Sequence, residues 1–186
     1  MVRDEEGFLY PQVNDALCKG CNLCISVCPF RVDYSTKGNF EEPLVFAAKH
    51  KSLEIRKTST SGGLFTALSD HVIANGGAVY GAGFDESFHV CHQKAETASE
   101  RDRLKGSKYV QSDLGNTFPA VKEQLEKGRM VLFTGTPCQT AGLNAYLSRS
   151  YDGLFLCDLV CHGTPSPMVW QDFVRFLEQR QNSALA

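Results

Sequence analysis

The chain has 186 residues, 42% of them hydrophobic and 22% charged, and a formal net charge of −2. That charge is too near neutral to favour nucleic acid or an anionic membrane as partner, and no run approaches the roughly 18 apolar residues of a membrane span. The length suits one moderate domain plus a small module, and the opening Met1-Val2-Arg3-Asp4-Glu5-Glu6 lacks the apolar core of an export signal.

Residues 7–13 read as a short strand or extended arm, and Asn14-Asp15 as a turn that leads into cysteines. There follows Cys18-Lys19-Gly20-Cys21-Asn22-Leu23-Cys24-Ile25-Ser26-Val27-Cys28-Pro29, spaced C-x2-C-x2-C-x3-C-P. This is the bacterial ferredoxin run that holds cubane iron–sulfur clusters. Cys18, Cys21 and Cys24 suit three corners of one 4Fe-4S cluster. The fourth cysteine of such runs reaches a different cluster. Cys28 therefore either completes its own cluster in a one-cluster arrangement or serves a neighbour. Structural zinc fits less well, since a zinc ribbon needs two separated C-x2-C pairs, and cysteines this close cannot all pair as disulfides. A thiolate cluster without an export signal points to a reducing cytoplasm.

Residues 1–36 are read as a ferredoxin-like 4Fe-4S segment, one half of a two-cluster module. Residues 37–60 show little periodicity and are read as a connecting region. From residue 61 to 186 the texture is that of an α/β domain, with a mixed sheet flanked by helices. Leu64, Phe65, Leu68, Val72 and Ile73 follow a helical period that Gly76-Gly77 ends. Ala78 to Phe84 is a buried strand with His89 to Ala95 as its hairpin partner. Ser99 to Leu104 is a short helix and Ser107 to Val110 a brief strand. A helix capped by Asn116 closes at Gly128, and Met130 to Phe133 is the next strand. Gly135 to Gln139 is a loop feeding a helix to about Leu147, and Leu154 to Val160 is a strand. The last helix starts at Ser166-Pro167, with Val169, Trp170, Phe173, Val174 and Leu177 on its apolar face. The chain reads as cut at both ends.

Several positions carry possible chemistry. Ser61-Gly62-Gly63 opens a helix, where free N–H groups suit a phosphate or need only an ordinary cap. Lys105 to Ser112 groups a cation, hydroxyls and an amide around Lys108. Cys138 sits near a helix N-terminus as cluster ligand, redox thiol or structural cysteine. Cys161 ends the following strand, and if the two strands are parallel neighbours both thiols meet above one sheet edge. Cys157 lies deeper on the same strand. Cys91 reads as structural, and His92 has no evident role.

Taken together, these segments resemble the beta subunit family of coenzyme F420 hydrogenases and dehydrogenases. The resemblance rests on the cysteine run after Glu6-Gly7-Phe8-Leu9-Tyr10-Pro11 and on Ser61-Gly62-Gly63. It continues through Tyr80 to Asp85, Gly106 to Ser112, Gly135-Thr136-Pro137-Cys138-Gln139, and Asp158 to Gly163 with Pro165-Ser166-Pro167. The resemblance implies an oxidoreductase passing electrons between one or two 4Fe-4S clusters and FAD, with hydride exchange to coenzyme F420 or a related acceptor. It implies flavin contacts at Ser61, Gly62, Gly63, Lys108, Thr136 and Gln139, and Cys138 and Cys161 near a second centre. Redox partner proteins or hydrogenase/dehydrogenase subunits are the implied partners. Two other readings are a non-catalytic ferredoxin-type electron carrier and a zinc or iron–sulfur adaptor linked to polysaccharide biosynthesis.

Overall fold

The structure, a computed structural model, describes residues 1–28 and 43–184. Pro29, with the rest of the ferredoxin-like segment to residue 36, and residues 37–42 of the connecting region lie outside the described residues. At the start, β1 (Val2–Arg3) and β2 (Leu9–Tyr10) pair as an antiparallel ribbon. The cysteine loop follows and holds one short helix, α1 (Leu23–Ser26). Within the region read as a connection lies α2 (Leu53–Lys57), capped by Ser52, whose side chain accepts from the Ile55 N–H at 3.4 Å.

The α/β part then runs α3 (Leu64–Ala74), β3 (Ala78–Phe84), β4 (Val90–Ala95), α4 (Ala98–Asp102), α5 (Thr117–Glu126), β5 (Val131–Gly135), α6 (Pro137–Leu147), β6 (Leu154–Asp158) and α7 (Pro167–Gln181). One mixed sheet has the order β4-β3-β5-β6. β3 and β4 are the expected hairpin, antiparallel, with Ala82 opposite His92. Their turn is tied by Asp85, whose Oδ1 accepts from the N–H groups of Ser87 and His89 at 2.9 and 2.8 Å. β5 pairs in parallel with β3 on one side and β6 on the other.

Alternation along β5 divides the core. Leu132 faces Val72 of α3, Val79, Ala95 and Leu104. Val131 and Phe133 face Val121 and Leu125 of α5 and Leu143 and Leu147 of α6. Each such side chain contributes about 1.5–3 kcal/mol on burial. This two-layered packing is what fixes the strand ends, and so the loops that leave them.

Three expectations change. Ser107 to Val110 is an irregular loop, not a strand, and buried Val110 is its apolar anchor. β6 stops at Asp158, and Val160 is 90% exposed beyond it. In α7 only Val174 is buried, while Val169 and Phe173 are exposed. The helix instead stacks Trp170 on Phe84 and donates its indole N–H to the Phe88 carbonyl at 2.7 Å.

Arg101 of α4 is buried and braces α3. It donates to the Thr66 carbonyl at 3.2 Å and to Asp70 at 2.7 Å, with Asp102 also at 2.7 Å. Replacing Arg101 by Ala is expected to lower unfolding free energy by about 2 kcal/mol, read from the urea midpoint, because these charge-assisted bonds are lost together.

Candidate redox site

The cysteine loop is shaped by its own backbone. The Asn14 side chain accepts from the Ala16 N–H at 3.1 Å, and its carbonyl accepts from Cys18 N–H at 2.9 Å. Gly20 and Asn22 then take left-handed conformations between successive cysteines, at φ 64° and 57°. Glycine bears this freely, and asparagine more readily than most residues. Cys18, Cys21 and Cys24 are exposed, Cys28 is partly buried, and all four are free thiols. Four soft sulfur donors on one short loop fit an iron–sulfur cluster in their chemistry. Among the described residues no three cysteine, histidine or carboxylate side chains converge tightly enough to cage a single metal ion.

One detail recurs at the other end of the chain. The Gly20 N–H donates to Cys18 Sγ at 3.5 Å, and the Gly163 N–H donates to Cys161 Sγ at 3.4 Å. Each glycine stands two residues after its cysteine with positive φ, 64° and 104°. N–H groups aimed at sulfur favour the thiolate and tune clusters that it holds.

Cys138 lies in the first turn of α6, and Cys161 follows β6. β5 and β6 are parallel neighbours, with Gly135 opposite Asp158 and the Leu159 N–H donating to the Gly135 carbonyl at 2.9 Å. Both thiols therefore lie beyond the carboxyl ends of adjacent parallel strands, and both are exposed. Thr136 Oγ1 is 3.1 Å from Cys138 Sγ. Gln139 turns its amide oxygen back to accept from the Thr136 N–H at 3.0 Å. That oxygen caps its own helix, leaving only the amide N–H groups for a ligand. Cys157 is half-buried against the Leu132 side of the core, and burial followed by the charge of Asp158 pushes its thiol pKa up. This is the setting of a packed structural cysteine.

The two polar loops come together. Gly106, at φ 80°, lies against Thr60, the residue before Ser61; a Cβ there would be 3.9 Å from Thr60 Oγ1. Gly63, in a left-handed conformation, is the N-cap of α3 and offers no capping side chain, and no acidic residue stands in the first turn. The first N–H groups of the helix thus remain open to an anion. A Cβ on Gly62 would come within 2.9 Å of the Ala48 carbonyl, so only glycine fits there. Lys108 donates to the Lys105 carbonyl at 2.7 Å and stands 5.9 Å over the Phe84 ring. No carboxylate pairs with it among the described residues. Burial brings its pKa down from 10.5 to about 8.

Residues 11–32 match the family model for the 4Fe-4S binding domain. Residues 128–184 match the family model for the C terminus of the coenzyme F420 hydrogenase/dehydrogenase beta subunit. Two separate stretches of the chain are thus similar to a 4Fe-4S binding domain and to the C terminus of the coenzyme F420 hydrogenase/dehydrogenase beta subunit. A solved structure agrees. A chain of the xenon-derivatised F420-reducing NiFe hydrogenase complex from Methanosarcina barkeri superposes with a TM-score of 0.54 at 25% identity. The match covers 73% of this chain and 49% of that one, so this chain spans about half the length of that relative. Comparison with curated proteins gives no match. No helix among the described residues is long and apolar enough to cross a membrane.

The beta-subunit match begins just before β5 and includes Cys138 and Cys161, while Ser61, Lys108 and His92 lie outside it. His92 is the residue that sequence reasoning misses. Its ring is partly buried and stacks on Phe133 with centroids 5.1 Å apart. Its Nδ1 is 2.7 Å from Ser112 Oγ, and its Nε2 is 3.1 Å from the Thr134 carbonyl. It also lines a shallow cavity of about 350 Å3 with Tyr80, Lys94 and Asn116, on the α5 face of the sheet. Only its ring contacts reveal a role, and those partners lie 20 and 42 residues away in sequence.

Burial lowers the pKa of His92, against a smaller opposing effect of the Thr134 carbonyl. The unfolded chain therefore binds a proton more readily than the folded one. Stability is fully present above the unfolded value of about 6.5 and is lost as pH falls from there through the lower folded value. The urea midpoint is expected to drop between pH 7 and pH 5, and to drop less when His92 is replaced by Gln.

Proposed function

We propose that this chain is an iron–sulfur flavoprotein oxidoreductase subunit. It passes electrons between a 4Fe-4S cluster and FAD, with hydride exchange to coenzyme F420 or a related acceptor. The observation that carries the flavin half is the meeting of two loops. The uncapped, glycine-lined start of α3 lies beside the loop of Lys108, a half-buried cation with no carboxylate partner among the described residues. Such a cradle suits the phosphates of a dinucleotide. The family matches support the iron–sulfur half.

In this reading Cys18, Cys21, Cys24 and Cys28 are the ligand set of the cluster. Cys138 and Cys161 serve a second centre, supported by their place at adjacent strand ends and by the Gly163 N–H on Cys161. Ser61, Gly62 and Gly63 offer backbone N–H groups to an anion, and Lys108 neutralises it. Thr136 and the free amide N–H groups of Gln139 border the flavin from the β5 side. A bound flavin supplies the conversion between single electrons and hydride pairs that clusters alone cannot make. The setting is cytoplasmic, and the partners are hydrogenase or dehydrogenase subunits.

Purification without oxygen tests the whole reading. The visible spectrum should carry a flavin band, and the protein should hold about four or eight irons with matching sulfide. Cys21→Ser should lose cluster iron and sulfide yet keep flavin. Protein with iron but no flavin would fit a simple electron carrier, and protein with zinc and no sulfide would fit an adaptor. Either outcome sinks the proposal.

Lys108 gives a second check. An anion beside it favours the charged ammonium, so flavin binding takes up a proton near pH 8. Flavin affinity is expected to weaken as pH rises from 7 to 9.5. Lys108→Arg should bind with little pH dependence over that range, because arginine stays charged. Lys108→Met should bind weakly throughout. Flavin fluorescence titration reads all three.

A further inference from the structure

Resting on the flavin reading above, the geometry points to His92 as a positioning residue that sets the gap between the two flavin-bordering loops. Hydrogen-bond direction decides the tautomer of the ring. A carbonyl oxygen can only accept, so the contact of His92 Nε2 with Thr134 requires the proton on Nε2. In the neutral ring Nδ1 is then bare. The contact at 2.7 Å with Ser112 is therefore made by the serine hydroxyl donating to Nδ1. One directed chain results: Ser112 hydroxyl to imidazole to Thr134 carbonyl.

The two ends of that chain are where the loops begin and end. Ser112 stands four residues after Lys108, at the end of the loop running from Gly106. Thr134 stands two residues before Thr136, at the carboxyl end of β5. The main chain supports the same bridge. The His92 N–H donates to the Asp113 carbonyl at 2.8 Å, and the Asp113 N–H donates to the Val90 carbonyl at 2.9 Å. Stacking on Phe133 fixes the plane of the ring. The Thr134 hydroxyl, donating to the Tyr80 carbonyl at 3.2 Å, holds the far end to β3. His92 thus ties the Lys108 loop to the strand end from which Thr136 and Cys138 leave, and it does so without belonging to either loop.

The test is a double-mutant cycle on the full chain, purified without oxygen, with FAD as probe. Ser112→Ala removes the donor at one end. His92→Phe keeps a ring to stack on Phe133 and removes the acceptor for Ser112. Each is expected to raise the FAD dissociation constant by about 3- to 10-fold, the range of one lost hydrogen bond. The double variant should be no weaker than the weaker single, because both remove the same interaction. Iron and sulfide content should stay at the wild-type value. Binding within twofold of wild type in both singles overturns the inference. So do additive losses, or a loss of flavin matched by an equal loss of iron, which would mark general damage. A wild-type protein that binds no FAD overturns the flavin reading itself and this inference with it.

Discussion

The structure depends on β5 lying in the middle of the sheet, paired in parallel on both sides and covered on both faces. Val131, Leu132 and Phe133 are at most 2% exposed. A parallel strand so enclosed can place its chemistry only at its carboxyl end, where the backbone leaves the sheet. There the Gly135 carbonyl receives the chain from β6, the Thr134 carbonyl receives His92, and Thr136 begins α6. His92, Thr136 and Cys138 are gathered at this exit.

Much of this is legible in the chain. The alternation of apolar strand and amphipathic helix points to the α/β class, and Gly76 and Gly128 mark helix ends at positive φ. The cysteine spacing names its own chemistry. What escapes are facts that depend on distance in space. Val110 reads as a strand residue because it is apolar; it is buried as the anchor of a loop. The α7 period is helical, as the structure bears out, but a period says nothing about what covers a face, and Val169 and Phe173 remain exposed. Gln139 reads as a ligand contact, although Thr-x-x-Gln is also the pattern of a capping box, and its amide oxygen is used that way.

The glycines after Cys18 and Cys161 show a middle case. Cys-x-Gly can be seen in the sequence at both places, yet it means nothing until the backbone turns each N–H toward sulfur. The two sites lie in different parts of the fold and have no common secondary structure. They share a local requirement, a tight left-handed step that points an amide at a thiol. A spacing rule finds the thiols, and only conformation shows which of them the backbone has prepared.

The seating of the N-terminal ribbon bears on how the protein is made. Ser166 donates its hydroxyl to the Glu6 carbonyl, and Met168 packs so close to Gly7 that a Cβ there would lie 2.6 Å from its Cγ. The residues that seat the ribbon are thus about 160 positions later in the chain. At a synthesis rate of about 5–20 residues per second, the cysteine loop leaves the ribosome many seconds before its dock exists. The contact between the ribbon and the start of α7 therefore closes only after both segments have been made. The seat of the ribbon is thus a late, long-range contact, whereas the turns that shape the cysteine loop are made by its own neighbours in sequence.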